Sequence, residues 1–200
     1  MSPYLFTTER LGFRTWTDED LPAMAAINGD PAVMRHFPAL QTMAETAAAL
    51  QRFRNMYAEK GYCFYAVETL NEKQFIGFIG LSWITYEAPF TPCTEIGWRL
   101  SAASWGKGYA TEGAKRCLEH AFHTLKLDNI KAVAPLVNEP SIRVMQKSGM
   151  KPLLNLSILC WPAVPGYSLA FATRQTGPGS VKGMVCAMVG YRPYIAASCD

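Results

Sequence analysis

Ser104-Trp105-Gly106-Lys107-Gly108-Tyr109-Ala110-Thr111-Glu112 is the stretch on which the reading of this chain turns. It follows a strand-like run, Thr94-Glu95-Ile96-Gly97-Trp98-Arg99-Leu100, and opens a helix-like run from Tyr109 to Leu125. Two glycines spaced by one residue let the backbone curl so that successive N–H groups point into one concavity. The helix that follows adds its orphan N–H groups and the positive end of its dipole. Together these make an anion site, whose usual occupant is a phosphate. Taken alone, the segment also fits a plain strand-to-helix turn, so the rest of the chain decides.

Two hundred residues suit one domain and can bury a sizeable core. Half the residues are apolar and 18% are charged, a globular rather than a disordered composition. No run of about 18 uncharged apolar residues occurs, so no membrane span is expected. Met1-Ser2-Pro3-Tyr4 lacks the basic-then-apolar layout of a signal peptide. Cys63, Cys93, Cys117, Cys160, Cys186 and Cys199 are scattered, with no C-x-x-C. They read as small buried hydrophobes in a reducing compartment, with neither disulfides nor a zinc site. The expectation is a soluble cytoplasmic protein. The net charge of +3 hides an asymmetry: residues 1–139 carry 13 basic and 15 acidic side chains, and residues 140–200 six basic and one acidic. Six cations so thinly spread form no patch, and no nucleic-acid partner is expected.

Hydrophobic spacing orders the elements. Leu11 and Phe13 between Arg10 and Arg14 alternate as a short strand. Thr17-x-x-Asp20 reads as a capping box before Leu21, Met24, Ala25 and Asn28, and Asn28-Gly29-Asp30-Pro31 breaks that helix. Thr42-x-x-Glu45 opens a second helix, with Ala47, Leu50, Phe53, Arg54 and Tyr57 on one face and Gly61 at its end. Tyr62–Glu68, Phe75–Thr85 and Thr94–Leu100 read as an antiparallel meander, since their connections are short. Then come a helix (Tyr109–Leu125), a strand (Ile130–Val137) and a helix (Ser141–Ser148) closed by Gly149. Leu153–Leu159 and Tyr167–Thr173 read as two last strands. The arrangement is mixed α+β, a βαβα unit joined to an antiparallel sheet.

Five motifs occur in an order that resembles the GNAT N-acetyltransferase superfamily, particularly the branch that acetylates the N-terminal alanine of ribosomal proteins. They are Thr8-Glu9-Arg10-Leu11-x-x-Arg14-x-Trp16-x-x-x-Asp20-Leu21, Phe75-Ile76-Gly77-x-Ile79-Gly80-Leu81, Glu95-Ile96-Gly97-Trp98-Arg99-Leu100, Trp105-Gly106-Lys107-Gly108-Tyr109-Ala110-Thr111-Glu112, and Asn138-x-x-Ser141-x-Arg143-Val144-Met145-x-Lys147-x-Gly149-Met150. The resemblance covers about residues 8–150. It implies a central, mostly antiparallel sheet flanked by helices and splayed between the fourth and fifth strands. It also implies acetyl-coenzyme A as co-substrate, direct transfer of the acetyl group to a primary amine, and no metal. Gly106, Lys107, Gly108, Tyr109, Ala110 and Thr111 would hold the pyrophosphate, with Trp98 and Asn138 as further coenzyme contacts. Trp105 stands where the family's loop usually begins with Arg or Gln.

Acetyl transfer needs a neutral amine, a polarised thioester carbonyl and a protonated leaving thiolate. Glu95 is the candidate general base, acting through a water; the alternative is a glutamate at a sheet edge paired with Arg99 or another cation. Ser141 is the candidate donor to the thiolate; as plain structure it would cap the last helix. Gly97 is where a bulge would fit the splayed strand. Glu112 reads as a first-turn stabiliser, Arg143 and Lys147 as solvated charges, and His120 with His123 as no metal site. His36, Phe37 and the loop Tyr86–Cys93 border the acceptor cleft by resemblance.

The tail departs from the family. Trp161-Pro162-x-x-Pro165-Gly166-Tyr167-x-Leu169 has Trp161 where histidine is usual, and no Asp or Glu occurs between Pro140 and Cys199. Residues 1–175 are therefore read as the acetyltransferase domain. Residues 176–200 are read as an atypical low-charge tail, disordered or translated in an altered frame. The favoured acceptor is a protein N-terminal α-amine, with a small-molecule amine as an alternative and a homodimer left open. The competing reading is a non-catalytic acyl-coenzyme A-binding module.

Overall fold

The computed structural model describes residues 2–86, 90–156 and 168–174, with backbone alone in 153–156 and 168–174. The strands are β1 (Phe6–Thr7), β2 (Leu11–Arg14), β3 (Phe64–Thr69), β4 (Phe75–Ile84), β5 (Cys93–Leu100), β6 (Asn129–Pro135), β7 (Lys151–Leu156) and β8 (Ser168–Arg174). They form one sheet in the order β1-β2-β3-β4-β5-β6-β8-β7. Every neighbouring pair is antiparallel except β5 and β6. The expected meander is β3-β4-β5. The two-residue β1, absent from the sequence reading, is too short to leave a period. The bridge 157–167 and the expected tail 176–200 lie outside the described residues.

The helices are α1 (Asp20–Asn28), α2 (Pro31–Met34), α3 (Met43–Lys60), α4 (Tyr109–Glu119) and α5 (Glu139–Lys147). The capping box of α3 forms as its sequence asks, Thr42 and Glu45 each accepting from the other's backbone N–H. Gly61 closes it in the left-handed region at φ 76°. The box expected at Thr17 forms by half. Thr17 gives its N–H and hydroxyl to Asp20, but α1 starts at Asp20 and takes no side-chain cap. The break at Asn28–Pro31 opens α2, where Asp30 caps and Pro31 supplies a preset first-turn φ. Beyond α4 the helix runs on as a π-helical turn, His120–Thr124. His120 stacks on Phe6 at 4.5 Å.

Alternation along the strands divides the core between two faces. Tyr65, Val67, Ile79, Leu81 and Ile96 are buried on the α4 side. There Gly113 of α4 passes so close that an added Cβ would lie 2.3 Å from Ile79. On the other side Phe64 and Phe78 stack at 4.9 Å, and Phe53 of α3 packs edge-on to Phe64 at 5.3 Å. Cys63, Cys93 and Cys117 are free and buried, as expected of small hydrophobes. Burial pushes the Cys63 and Cys93 thiols up to about 12. No helix among the described residues is long and apolar enough to cross a membrane.

One polar cluster ties β2, α1 and β3 together. Arg14 grips Asp20 with both terminal nitrogens (2.7 and 2.6 Å) and gives Nε to Glu68 at 2.7 Å. Burial pushes the Asp20 carboxyl up, but the Arg14 and Thr17 hydrogen bonds outweigh it and hold the group below its usual range. Removing the cation leaves two carboxylates with little solvent access, a change that costs about 3–5 kcal/mol. Arg14→Met should therefore lower the urea-unfolding free energy by about that much. A depressed carboxylate stabilises above its unfolded pKa of about 3.9 and loses that contribution as pH falls. Wild-type stability should thus fall below about pH 4, and this acid loss should be smaller in Arg14→Met.

Candidate active site

The phosphate-type loop has the backbone its glycines permit. Gly106 and Gly108 sit at φ 74° and 83°, and Gly108 is the N-cap of α4 with no side-chain cap. An added Cβ would meet nothing within 4 Å at Gly106 and only Arg10 Nη2 at 3.4 Å at Gly108. Both glycines are therefore needed for conformation, not for room. The loop is braced from outside. Arg10 donates from Nη1 to the Lys107 carbonyl (2.9 Å) and from Nε to Glu112 (2.6 Å), and lies over the Tyr109 ring at 4.8 Å. Glu112 also accepts from the Thr8 hydroxyl and the Arg10 N–H. Desolvation pushes its carboxyl up, and these donors hold it below the ordinary value. Glu112 is thus a latch between the β1–β2 turn and the loop, more than a helix-dipole partner.

The second component is a gap in the sheet. The parallel pairing of β5 with β6 covers only Thr94↔Ile130 and Glu95↔Lys131. Beyond Glu95 the strands part. β5 stays paired with β4 along its full length, and β6 with β8. The edge of β5 facing the gap therefore carries backbone N–H and C=O groups with no strand partner among the described residues. A cavity of about 310 Å³ fills the gap, between Glu95–Arg99 on one wall and Val133–Pro135, Asn138 and Ser141 on the other. A second cavity of about 460 Å³ continues to Trp105, Gly106, Gly108 and Thr111. The two share His36, Phe37, Trp98, Arg99, Asn138 and Ser141.

The β4–β5 register runs unbroken from Gly77↔Leu100 to Ile84↔Cys93, so the bulge expected at Gly97 does not form. Gly97 instead faces Gly80 across the ladder, and an added Cβ at Gly97 would lie 3.1 Å from the Phe64 ring. The ring of Phe64 lies against Gly97, while at Gly80 the backbone of β3 itself takes the space a side chain would need. The ring floors the face of β5 on which Glu95 and Arg99 stand at either end. Among the described residues the register shifts of this sheet lie at Val67/Glu68, between β3 and β4, and at Pro152/Leu154, between β7 and β8.

Glu95 is enclosed, and burial pushes its carboxyl up to about 7. Among the described residues no hydrogen bond or ion pair reaches it. The pairing with Arg99 considered from sequence is not formed. Arg99 donates from Nη1 to Asn28 (2.6 Å) and Gln41 (3.4 Å), with its guanidinium over Phe37 at 4.1 Å. Burial lowers its pKa to about 10.

Asn138, not Ser141, caps α5, accepting the Ser141 N–H at 3.3 Å. Pro140 in the first turn moves the helix start ahead of Ser141. Ser141 is left inside that turn, on the wall of both cavities.

Nearly all the residues expected from sequence converge. Glu95 and Ser141 share the smaller cavity, while Trp98, Gly106, Gly108, Tyr109, Ala110, Thr111 and Asn138 share the larger. Lys107 does not line either one; its carbonyl is held by Arg10 on the outer side. Arg143 and Lys147 line the larger cavity, although Arg143 also pairs with Glu139 at 2.9 Å. The sequence reading missed Arg35, which lies over Trp105 at 5.6 Å, and Arg99 as a wall of both cavities. Only the presence of a cation on a half-buried strand could have signalled Arg99.

A family model described as an acetyltransferase (GNAT) domain matches residues 10–151. An uncharacterized N-acetyltransferase of Bacillus subtilis, YnaD, is 32% identical over 146 residues, which cover 72% of this chain and 81% of that protein. The crystal structure of a GNAT-family acetyltransferase from Bacillus anthracis superposes with TM-score 0.71 at 26% identity, over 84% of this chain and 96% of the other. Two coenzyme A complexes share the fold. One is the ribosomal-protein α-N-acetyltransferase RimL (TM-score 0.71, 15% identity, 85% and 97% covered). The other is a spermidine N-acetyltransferase from Vibrio cholerae that also holds spermine (0.67, 17%, 84% and 97%). The chain belongs to the GNAT acetyltransferase family, whose reaction takes its acetyl group from acetyl-coenzyme A.

The glycine loop and the cations around the larger cavity suit a pyrophosphate-bearing ligand, and they predict how that ligand is lost. A β-branched side chain is strongly disfavoured at positive φ, so Gly108→Val should abolish the rise in melting temperature that acetyl-coenzyme A produces. Arg10→Ala should weaken binding about tenfold, the scale of one lost hydrogen bond to a charged group. An unchanged thermal shift in Gly108→Val would remove the loop from the coenzyme site.

Proposed function

We propose that this acetyltransferase acts on a weakly basic primary amine, a peptide or protein α-amine, with Glu95 taking the proton. Glu95, isolated at the opening of the β5–β6 gap with its carboxyl pushed up to about 7, is the observation that carries this reading. Such a group is half ionised at neutral pH and can accept a proton there, directly or through one water. Ser141 lies across the cavity, where its hydroxyl can donate to the leaving sulfur. Acetyl-coenzyme A supplies the thioester. The Gly106–Thr111 backbone would hold its phosphates, and the open edge of β5 beside Trp98 its arm. The catalytic unit is taken as residues 1–175.

The amine's own basicity supports the α-amine. Deprotonating a group of pKa about 7.7–8.0 costs roughly 1 kcal/mol at pH 7, against about 4–5 kcal/mol for a lysine-like amine near 10.4. Among the described residues lining the smaller cavity, Glu95 is the sole carboxylate and Arg99 a buried cation. A polycation would meet that charge, and a single weak base would not. The likeness to RimL agrees with this choice, and the likeness to the spermidine enzyme sets its competitor.

The pH profile tests the base. Wild-type kcat/KM should fall below about pH 7 as Glu95 becomes protonated, beside a limb near pH 8 from the amine itself. Glu95→Gln should lose the limb near 7 and about 100-fold in rate, while binding acetyl-coenzyme A as before. An unaltered acidic limb would assign proton transfer to another group.

The acceptor is tested by initial rates on an Ala- or Ser-initiated peptide, its N-blocked form with a free lysine, and spermidine. The free α-amine should be acetylated fastest. Faster turnover of the blocked peptide or spermidine would defeat the α-amine reading and leave the acetyltransferase standing.

A further inference from the structure

Among the described residues, Arg99 has a side-chain edge with nothing to hold. Nη1 is tethered by Asn28 and Gln41, but Nε is buried without a hydrogen-bond partner. Nη2, which completes the same edge, has no partner among the described residues. No carboxylate among those residues forms an ion pair with this guanidinium. A buried polar atom left unpaired costs free energy, more so on a charged group. Arg99 nevertheless lines both cavities, on the same face of β5 as Glu95. Phe37 and Phe78 fix its plane, at 4.1 and 5.5 Å from the guanidinium carbon.

We infer that Arg99 is a specificity-determining residue whose Nε/Nη2 edge receives a carboxylate of the acyl acceptor. This inference rests on the acyl-transfer reading of the same cavity and names the substrate class: an amine that also bears an acidic group. The planar edge of a guanidinium matches two carboxylate oxygens, and the ligand's negative charge supplies the counter-ion that is absent among the described residues. The same cation disfavours a protonated amine nearby, which helps present the acceptor in its reactive form. Spacing limits the acceptor's shape. Glu95 and Arg99 are four residues apart on a strand, about 13 Å between their Cα atoms at roughly 3.3 Å per residue. The carboxylate therefore stands several atoms from the amine. A peptide with Asp or Glu at its second or third position fits, as does a long ω-amino acid; a simple α-amino acid is too short.

Matched pairs differing only in the carboxylate provide the test. They are Ser-Asp- and Ser-Asn-initiated peptides, the same pair with the acid at the third position, and 6-aminohexanoate against hexylamine. Wild-type enzyme should favour the carboxylate member by about tenfold or more in kcat/KM, the scale of a charge-assisted pair. Arg99→Gln should bring that ratio near one while its Kd for acetyl-coenzyme A stays within about twofold. Arg99→Lys keeps the charge and loses the two-pronged edge, so its ratio should fall between, and it replaces the Gln variant if that one does not fold. Thermal shifts of the coenzyme complex with each pair read the same preference without turnover. No preference in the wild type overturns the inference. So does an intact preference in Arg99→Gln accompanied by weakened coenzyme binding, which would give Arg99 to the coenzyme. A preference confined to the ω-amino acid pair upholds Arg99 and removes the peptide reading.

Discussion

Two strands that pair for two residues and then separate are the constraint around which the molecule is organised. A parallel ladder between β5 and β6, continued to Leu100, would close the cleft and satisfy every main-chain group along it. Ending the ladder at Glu95↔Lys131 leaves backbone polar groups facing a space where a ligand can complete them. The cost is tolerable because each strand keeps its other neighbour, β4 or β8. Sheet continuity is thus preserved on both sides of a deliberate opening.

Side chains then divide the opening by chemistry. On the α4 side, the glycine loop and the cations Arg35, Arg143 and Lys147 suit phosphate. On the other face of β5, the stacked rings of Phe64 and Phe78 lie between one carboxyl group, Glu95, and one guanidinium, Arg99. Gly97 leaves room for the Phe64 ring, and Gly80 lets the main chain of β3 pass within 3 Å of where its Cβ would stand. A sequence eye drawn to Gly97 finds the right residue and the wrong reason. A strand glycine signals close approach as often as a bulge, and the partner that approaches is 33 residues away.

Most of the fold was legible because its signals are local: the capping box of α3, its terminal Gly61, the meander, and the strand–loop–helix at Gly106–Tyr109. The phosphate-loop half of the site was legible for the same reason. What escaped depends on tertiary placement. Asn138 rather than Ser141 caps α5, because Pro140 takes up an early helical position. Arg99 faces a pocket instead of Glu95, because α1 and the segment before α3 bring Asn28 and Gln41 to its other edge. The two-residue β1 carries no periodicity at all. Lys107, one of the pyrophosphate contacts the resemblance implies, lines neither cavity, because contacts from a distant element, Arg10, decide how that residue sits.

The Arg10–Glu112 latch gives the anion loop a mechanical neighbour. Through Thr8, Arg10 and Glu112, the loop's stiffness is shared with the hairpin formed by β1 and β2. The hairpin's edge strand is two residues long and would fray if left to itself. Loop and hairpin are therefore tied to each other by side-chain hydrogen bonds that neither element could make alone. A substitution at Thr8 or Arg10 thus removes support from the anion loop without lying on the cavity wall.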